Sequence, residues 1–189
     1  MSVRPALIAL AAFGLALGSP LSGIASADEV EPLYDLIDTA TQRLATADAI
    51  AASKWLNGGA ITDPARVQQV LEAVSADAEA ADVPSNYVTT VFADQIDATE
   101  AIQYNRFSAW KLDPAAAPLS APDLSASRTL IDDLNRRMVT LIATDWPILD
   151  SPDCPIRLDA AITAVADARQ LDPLYRQALD AATRSYCQT

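Results

Sequence analysis

The sequence predicts an all-α protein. Three observations carry this: long segments rich in Ala, Leu, Ile, Val, Gln, Asp and Arg repeat their apolar positions with helical periodicity, glycine is scarce at 5 of 189 residues, and the alternating pattern a strand needs is almost absent. Turn and capping signals divide the chain into six helices of one domain. No internal repeat is visible, and the one Ala/Pro-rich stretch reads as a loop, not a domain boundary.

Ahead of the helices, residues 1–27 read as an export signal. Arg4 is the only charge before Asp28, residues 6–17 are apolar, and Ala25-Ser26-Ala27 offers a small-residue cleavage site. A retained membrane anchor is the competing reading, but Gly14, Gly18, Ser19 and Pro20 interrupt the stretch. Cleavage after Ala27 is therefore expected, leaving 162 of the 189 residues, 28–189, as one secreted or periplasmic domain large enough to bury a sizeable core.

The first helix is expected over residues 30–56, stopped by Asn57-Gly58-Gly59. The second begins at Thr62-Asp63-Pro64, a capping residue followed by proline at the first helical position, and runs to residue 81. The third spans residues 84–111 and carries Val88, Phe92, Ile96, Ile102, Phe107 and Trp110. After a proline-rich connection at 113–122, the fourth starts behind Asp123 or Ser125 and is expected to halt at Trp146, before Pro147. The fifth and sixth, 156–170 and 173–187, are read as helices of equal length turning at Leu171-Asp172. Such an antiparallel hairpin brings Cys154 beside Cys187. In an exported chain this even pair reads as a structural disulfide, contributing roughly 3–4 kcal/mol by the loop-entropy model.

Charge narrows the function. With 13 basic and 25 acidic residues and no histidine, the formal charge is −12, and losing Arg4 makes it one unit more negative. Nucleic acid and anionic lipid both require a positive footprint, so neither is an expected partner. No segment after the signal is long and apolar enough to span a bilayer.

Against that background, four cations stand out, three of them on apolar seams. The eleven-residue step from Arg43 to Lys54 turns the helix by a net angle of only about 20°, so both leave the same face. That face runs through Leu36, Ala40, Arg43, Ala47, Ile50 and Lys54, where a cation is costly to bury unless something pairs with it. Asp63 and Arg66 open the second helix. On the third, Val88, Phe92, Gln95, Thr99, Gln103 and Trp110 share a face, with Thr99 and Gln103 one turn apart where aliphatics would be usual. Arg128 shares a stripe with Leu124, Ile131, Met138 and Ile142, in a first turn whose exposed amides add positive potential. Each has a plainer explanation. The arginines are often solvated or salt-bridged, Asp63 can be only an N-cap, Thr99 can bond back to its own helix, and Gln103 can lie at the surface or pair with Tyr104 or Glu100.

The joint spacing is less easily explained that way. Arg43, Lys54, Asp63 and Arg66, followed by Thr99 and Gln103, resemble the active-site register of the all-helical chorismate mutases. Ala52-Ser53-Lys54-Trp55, Val91-Phe92-Ala93-Asp94-Gln95-Ile96, Ala98-Thr99-Glu100-Ala101-Ile102 and Arg106-Phe107-Ser108, with the cysteine pair and the signal, are similar to the exported subclass found in mycobacteria and their relatives.

The resemblance implies a four-helix active-site bundle and conversion of chorismate to prephenate without metal or cofactor. It places Arg43, Arg66 and Arg128 on the two substrate carboxylates, Lys54 and Gln103 on the ether oxygen, and Asp63 and Thr99 at the ring hydroxyl or the nearby polar network. Arg128 would supply in cis a cation that shorter relatives borrow from a partner chain. Gln103 stands where some exported relatives carry Glu, and Val67 and Val70 where relatives often place another polar contact. A homodimer is also implied. Two alternatives remain at this point: an isochorismate-pyruvate lyase on the same scaffold, and a non-catalytic secreted helical binding module.

Overall fold

A computed structural model of the chain describes residues 31–188, so the expected signal segment 1–27 lies outside the described residues, as does Val30. Among the described residues there are six α-helices and no strand: α1 (Tyr34–Asn57), α2 (Pro64–Ala80), α3 (Ser85–Leu112), α4 (Leu124–Leu149), α5 (Cys154–Ala168) and α6 (Pro173–Ala182). A single 3₁₀ turn, Pro114–Ala116, sits in the proline-rich connection.

The central pair is α1 and α3. The first packs mainly on α4 and α3, while α3 also carries α2 and α6. Leu36, Ala40, Leu44 and Ala47 from α1 meet Val88, Val91, Phe92 and Ile102 from α3 and Met138 and Ile142 from α4 in one core. The period of these positions is why the segments are helical: each buries one stripe.

Local chemistry sets the ends. The first helix starts later than expected, because Pro32 and Leu33 form the corner of a turn closed by Tyr34 N–H donating to Glu31 O at 3.0 Å. Leu33 holds a φ of 70° there while its side chain is buried. At the other end, Gly58 (φ 74°) and Gly59 both donate to the Lys54 carbonyl. Asp63 caps α2 by accepting from Arg66 N–H at 3.1 Å.

Two expectations are corrected. Pro147 does not halt α4, which continues to Leu149. Proline removes one hydrogen bond, yet Asp150 N–H still reaches Trp146 O, and the extra turn seats Leu149 with no exposure. The last two helices are also unequal: α6 ends at Ala182, five residues before Cys187, and packs chiefly on α3. Cys187 nevertheless bonds Cys154, with Cα atoms 5.6 Å apart across a separation of 33 residues. The disulfide therefore closes a short helix plus a non-helical tail.

Candidate active site

A cleft of about 620 Å³, counting its open mouth, lies among α1, α2, α3 and the first turns of α4. All seven residues singled out from the sequence line it: Arg43, Lys54, Asp63, Arg66, Thr99, Gln103 and Arg128. Its apolar walls include Ile50, Ile61, Val67, Val70, Ile96 and Ile131. The size suits a small metabolite.

Arg43 is the deepest cation, only 4% exposed. Its Nε donates to Asn135 Oδ1 at 2.8 Å and its Nη1 to Thr99 Oγ1 at 3.3 Å, and the guanidinium lies 5.7 Å from the Phe92 ring centroid. Every direct partner is neutral. Burial pushes its pKa down to about 10, so the group stays charged at neutral pH with no carboxylate bound to it. That is a cation prepared for an anion that is not part of the protein.

Lys54 rises from the last turn of α1 and donates to Ile61 O at 2.5 Å. Its pKa is lowered, first by burial and then by Arg128, against the opposing pull of Glu100 and Asp63. Gly59 makes room for its stem, since a Cβ there would sit 3.3 Å from Lys54 Cγ. Arg66, one turn into α2, pairs with Asp132 at 2.5 Å. Arg128 is exposed at the mouth, with no ion-pair partner among the described residues.

The plainer explanations hold in part. Asp63 is an N-cap, and Thr99 Oγ1 does donate to Gln95 O at 2.7 Å, but the same hydroxyl accepts from Arg43. Gln103 does not pair with Tyr104 or Glu100, both of which bond Thr62 instead. It is buried, its Nε2 donates to Thr99 O at 3.3 Å, and its Oε1 has no partner.

Two contributors escaped the sequence reading. Asp132 and Asn135 continue the Arg128 face of α4 at steps of four and seven, so extending that stripe would have found them. Glu100, named from the sequence as a possible partner of Gln103, lines the cleft beside Thr99.

Chemically, the cleft offers four cations and two carboxylates, Asp63 and Glu100, around an apolar pocket, with no histidine in the chain and both cysteines oxidised. Such a set can hold a small anion by charge and hydrogen bonds, and it presents no histidine or thiol nucleophile.

Comparison with known proteins identifies the family. Residues 34–104, which hold six of the seven residues, match the family model described as chorismate mutase type II. The chain is 56% identical over 182 residues to the secreted chorismate mutase of Mycolicibacterium smegmatis, covering 96% of this chain and 98% of that one. It is 49% identical over 172 residues to the secreted chorismate mutase of Mycobacterium tuberculosis, covering 91% and 85%. The crystal structure of chorismate mutase from Burkholderia thailandensis superposes with a TM-score of 0.78 at 34% identity, over 82% of this chain and 99% of that one. A cleft of converging cations on this helical frame, and identity across nearly the whole length of two relatives, lead to one statement: the chain belongs to the chorismate mutase type II family.

Proposed function

We propose that this cleft isomerises chorismate to prephenate, and that the seven residues lining it carry the reaction. The rearrangement occurs within one molecule: a carbon–oxygen bond breaks as a carbon–carbon bond forms, with no proton shuttle, nucleophile or cofactor required. Catalysis then consists of holding the dianion in its compact reactive shape and stabilising charge on the ether oxygen as its bond breaks. Arg43, Arg66 and Arg128 take the two carboxylates. Lys54 and Gln103 donate to the ether oxygen, the Gln103 NH₂ having a second N–H besides the one it gives to Thr99 O. Asp63 and Thr99 hold the ring hydroxyl or the polar groups near it.

The observation that carries this reading is Arg43, a cation with 4% exposure and only neutral hydrogen-bond partners. The decisive experiment is a chorismate-consumption assay on the oxidised protein lacking residues 1–27. Lys54→Ala and Arg66→Ala should each lower kcat/KM by about 10²–10³ with helicity intact. Near-wild-type turnover in either variant would remove these residues from their roles. Product analysis gives prephenate for a mutase, against salicylate and pyruvate from isochorismate for a lyase, and binding without turnover for a non-catalytic module.

Export of the chain, with cleavage after Ala27, belongs to the same proposal and is supported by the two relatives named as secreted and by the signal-like residues 1–27. No helix among the described residues is long and apolar enough to cross a membrane. A homodimer, each chain using its own Arg128, completes it.

A further inference from the structure

One turn from Thr99, the residue that accepts from Arg43, lies a buried polar pair that none of these roles uses. Gln95 and Tyr186 have no exposed surface at all, and Tyr186 is the largest fully buried side chain among the described residues. Gln95 Nε2 donates to the Tyr186 hydroxyl at 3.4 Å, and Gln95 Oε1 has no partner. Gln95 stands one turn before Thr99 on α3, and Thr99 is the residue that touches Arg43. Phenol and guanidinium lie near enough to influence each other's ionisation.

Tyr186 reaches this place without a helix. After α6 ends at Ala182, the tail is fastened at successive residues. Ser185 Oγ donates to Asp94 at 2.6 Å, Tyr186 O accepts from Tyr87 Oη at 2.6 Å, Cys187 is bonded to Cys154, and Gln188 N–H donates to Leu149 O at 3.0 Å. A phenylalanine would fill the same volume without the desolvation of a buried hydroxyl. The hydroxyl is thus an expense the core does not require.

We propose that Tyr186, clamped in the core by the Cys154–Cys187 disulfide, is a positioning residue for substrate binding: it forms the floor on which Gln95, Thr99 and Arg43 are set. This rests on Arg43 being a carboxylate-binding group. It makes the cysteine pair more than a staple, because opening it releases one fastening of the tail that holds the floor.

The test is Tyr186→Phe in the oxidised protein, beside a Cys154→Ser/Cys187→Ser double variant, both assayed well below their melting temperatures. In Tyr186→Phe the KM for chorismate should rise roughly threefold to tenfold, the worth of one buried hydrogen bond, while kcat stays within about twofold. The Arg43 Nε–H resonance in ¹H–¹⁵N spectra should move. The double variant should shift both readouts in the same direction. A structural role alone would lower the melting temperature and leave KM and the Arg43 resonance in place, and that result overturns the proposal. Wild-type KM in the double variant overturns the part assigned to the disulfide. If the wild-type protein itself does not turn over chorismate, the functional reading fails instead.

Discussion

Arg43 shows how one residue's surroundings define a task. A buried guanidinium held by an amide, a hydroxyl and a ring face recovers only part of its lost hydration, and a bound carboxylate would recover the rest. Arg66 differs, since Asp132 already occupies it, and a half-exposed pair of this kind is worth at most about 1 kcal/mol, which a substrate carboxylate can displace. These groups also fix the pH response. Lys54 is held below the ordinary lysine value of 10.5 by burial, so its ammonium is lost at lower pH than in the unfolded chain. Through that window the unfolded state binds more protons, so stability rises with pH, while the proposed role of Lys54 at the ether oxygen requires activity to fall. We expect kcat/KM to be level through the acid and neutral range and to fall in the alkaline range, as Lys54 loses its proton earlier than a free lysine and Arg43 titrates at about 10, with no acidic requirement, because an amide at position 103 donates at any pH. Gln103→Glu should add one: its carboxyl donates only when protonated, so the variant should be most active at low pH. Superimposable pH–rate profiles for the two proteins would remove Gln103 from the ether oxygen.

At the scale of the element, helix faces were legible and several helix ends were not. Three helices end in the same way, with a residue of positive φ and amide donors returning to the last turn: Gly58 after α1, Asp82 after α2 and Gln170 after α5. Only the first is a glycine, and only the first gave a strong stop signal. The other two are imposed by the residue on their C-terminal side, as when Val83 is buried once its N–H returns to Ala78 O. Pro147 misled in the opposite sense, since burial of Leu149 outweighs one missing hydrogen bond. The turn after α1 also permits a test that separates fold from site. Gly58 needs its positive φ, but a Cβ at that position would meet no atom within 4 Å, so Gly58→Ala should cost about 1–2 kcal/mol of stability and leave kcat/KM near wild type. Gly59 lacks that φ, but a Cβ there would press on the Lys54 stem, so Gly59→Ala should do the reverse: a small change in melting temperature and roughly a threefold to tenfold loss of kcat/KM. Equal effects of the two variants on activity would show that Lys54 is not positioned by this turn.

For the whole molecule, three of the cations that line the cleft, Arg43, Lys54 and Arg128, were legible because each broke an apolar stripe on its own helix, and Arg66 by its spacing from Asp63. Their partners were not, because contacts such as Arg43 to Asn135, 92 residues apart, and Arg66 to Asp132, 66 apart, depend on how helices cross. Tyr186 was hidden for a related reason: it was read as the end of a regular helix, whereas a cross-linked tail carries it inward. The same scale contains an electrostatic conflict. A chain of formal charge −12 repels a dianion at a distance, while the proposed site attracts it on contact through the cations that line the cleft. Salt separates the two because their ranges differ. Near 10 mM ionic strength the screening length is about 30 Å and the repulsion of the whole molecule is felt; near 0.15 M it is about 8 Å and that repulsion is mostly gone, while contacts inside the cleft persist. At 1 M it is about 3 Å, and the contacts themselves weaken. Measured at limiting chorismate, kcat/KM should therefore rise by about twofold between the first two conditions and decline at the third. A steady fall from the lowest salt upward would mean that the local cations govern approach as well as binding, and that the acidic surface plays no part in how substrate arrives.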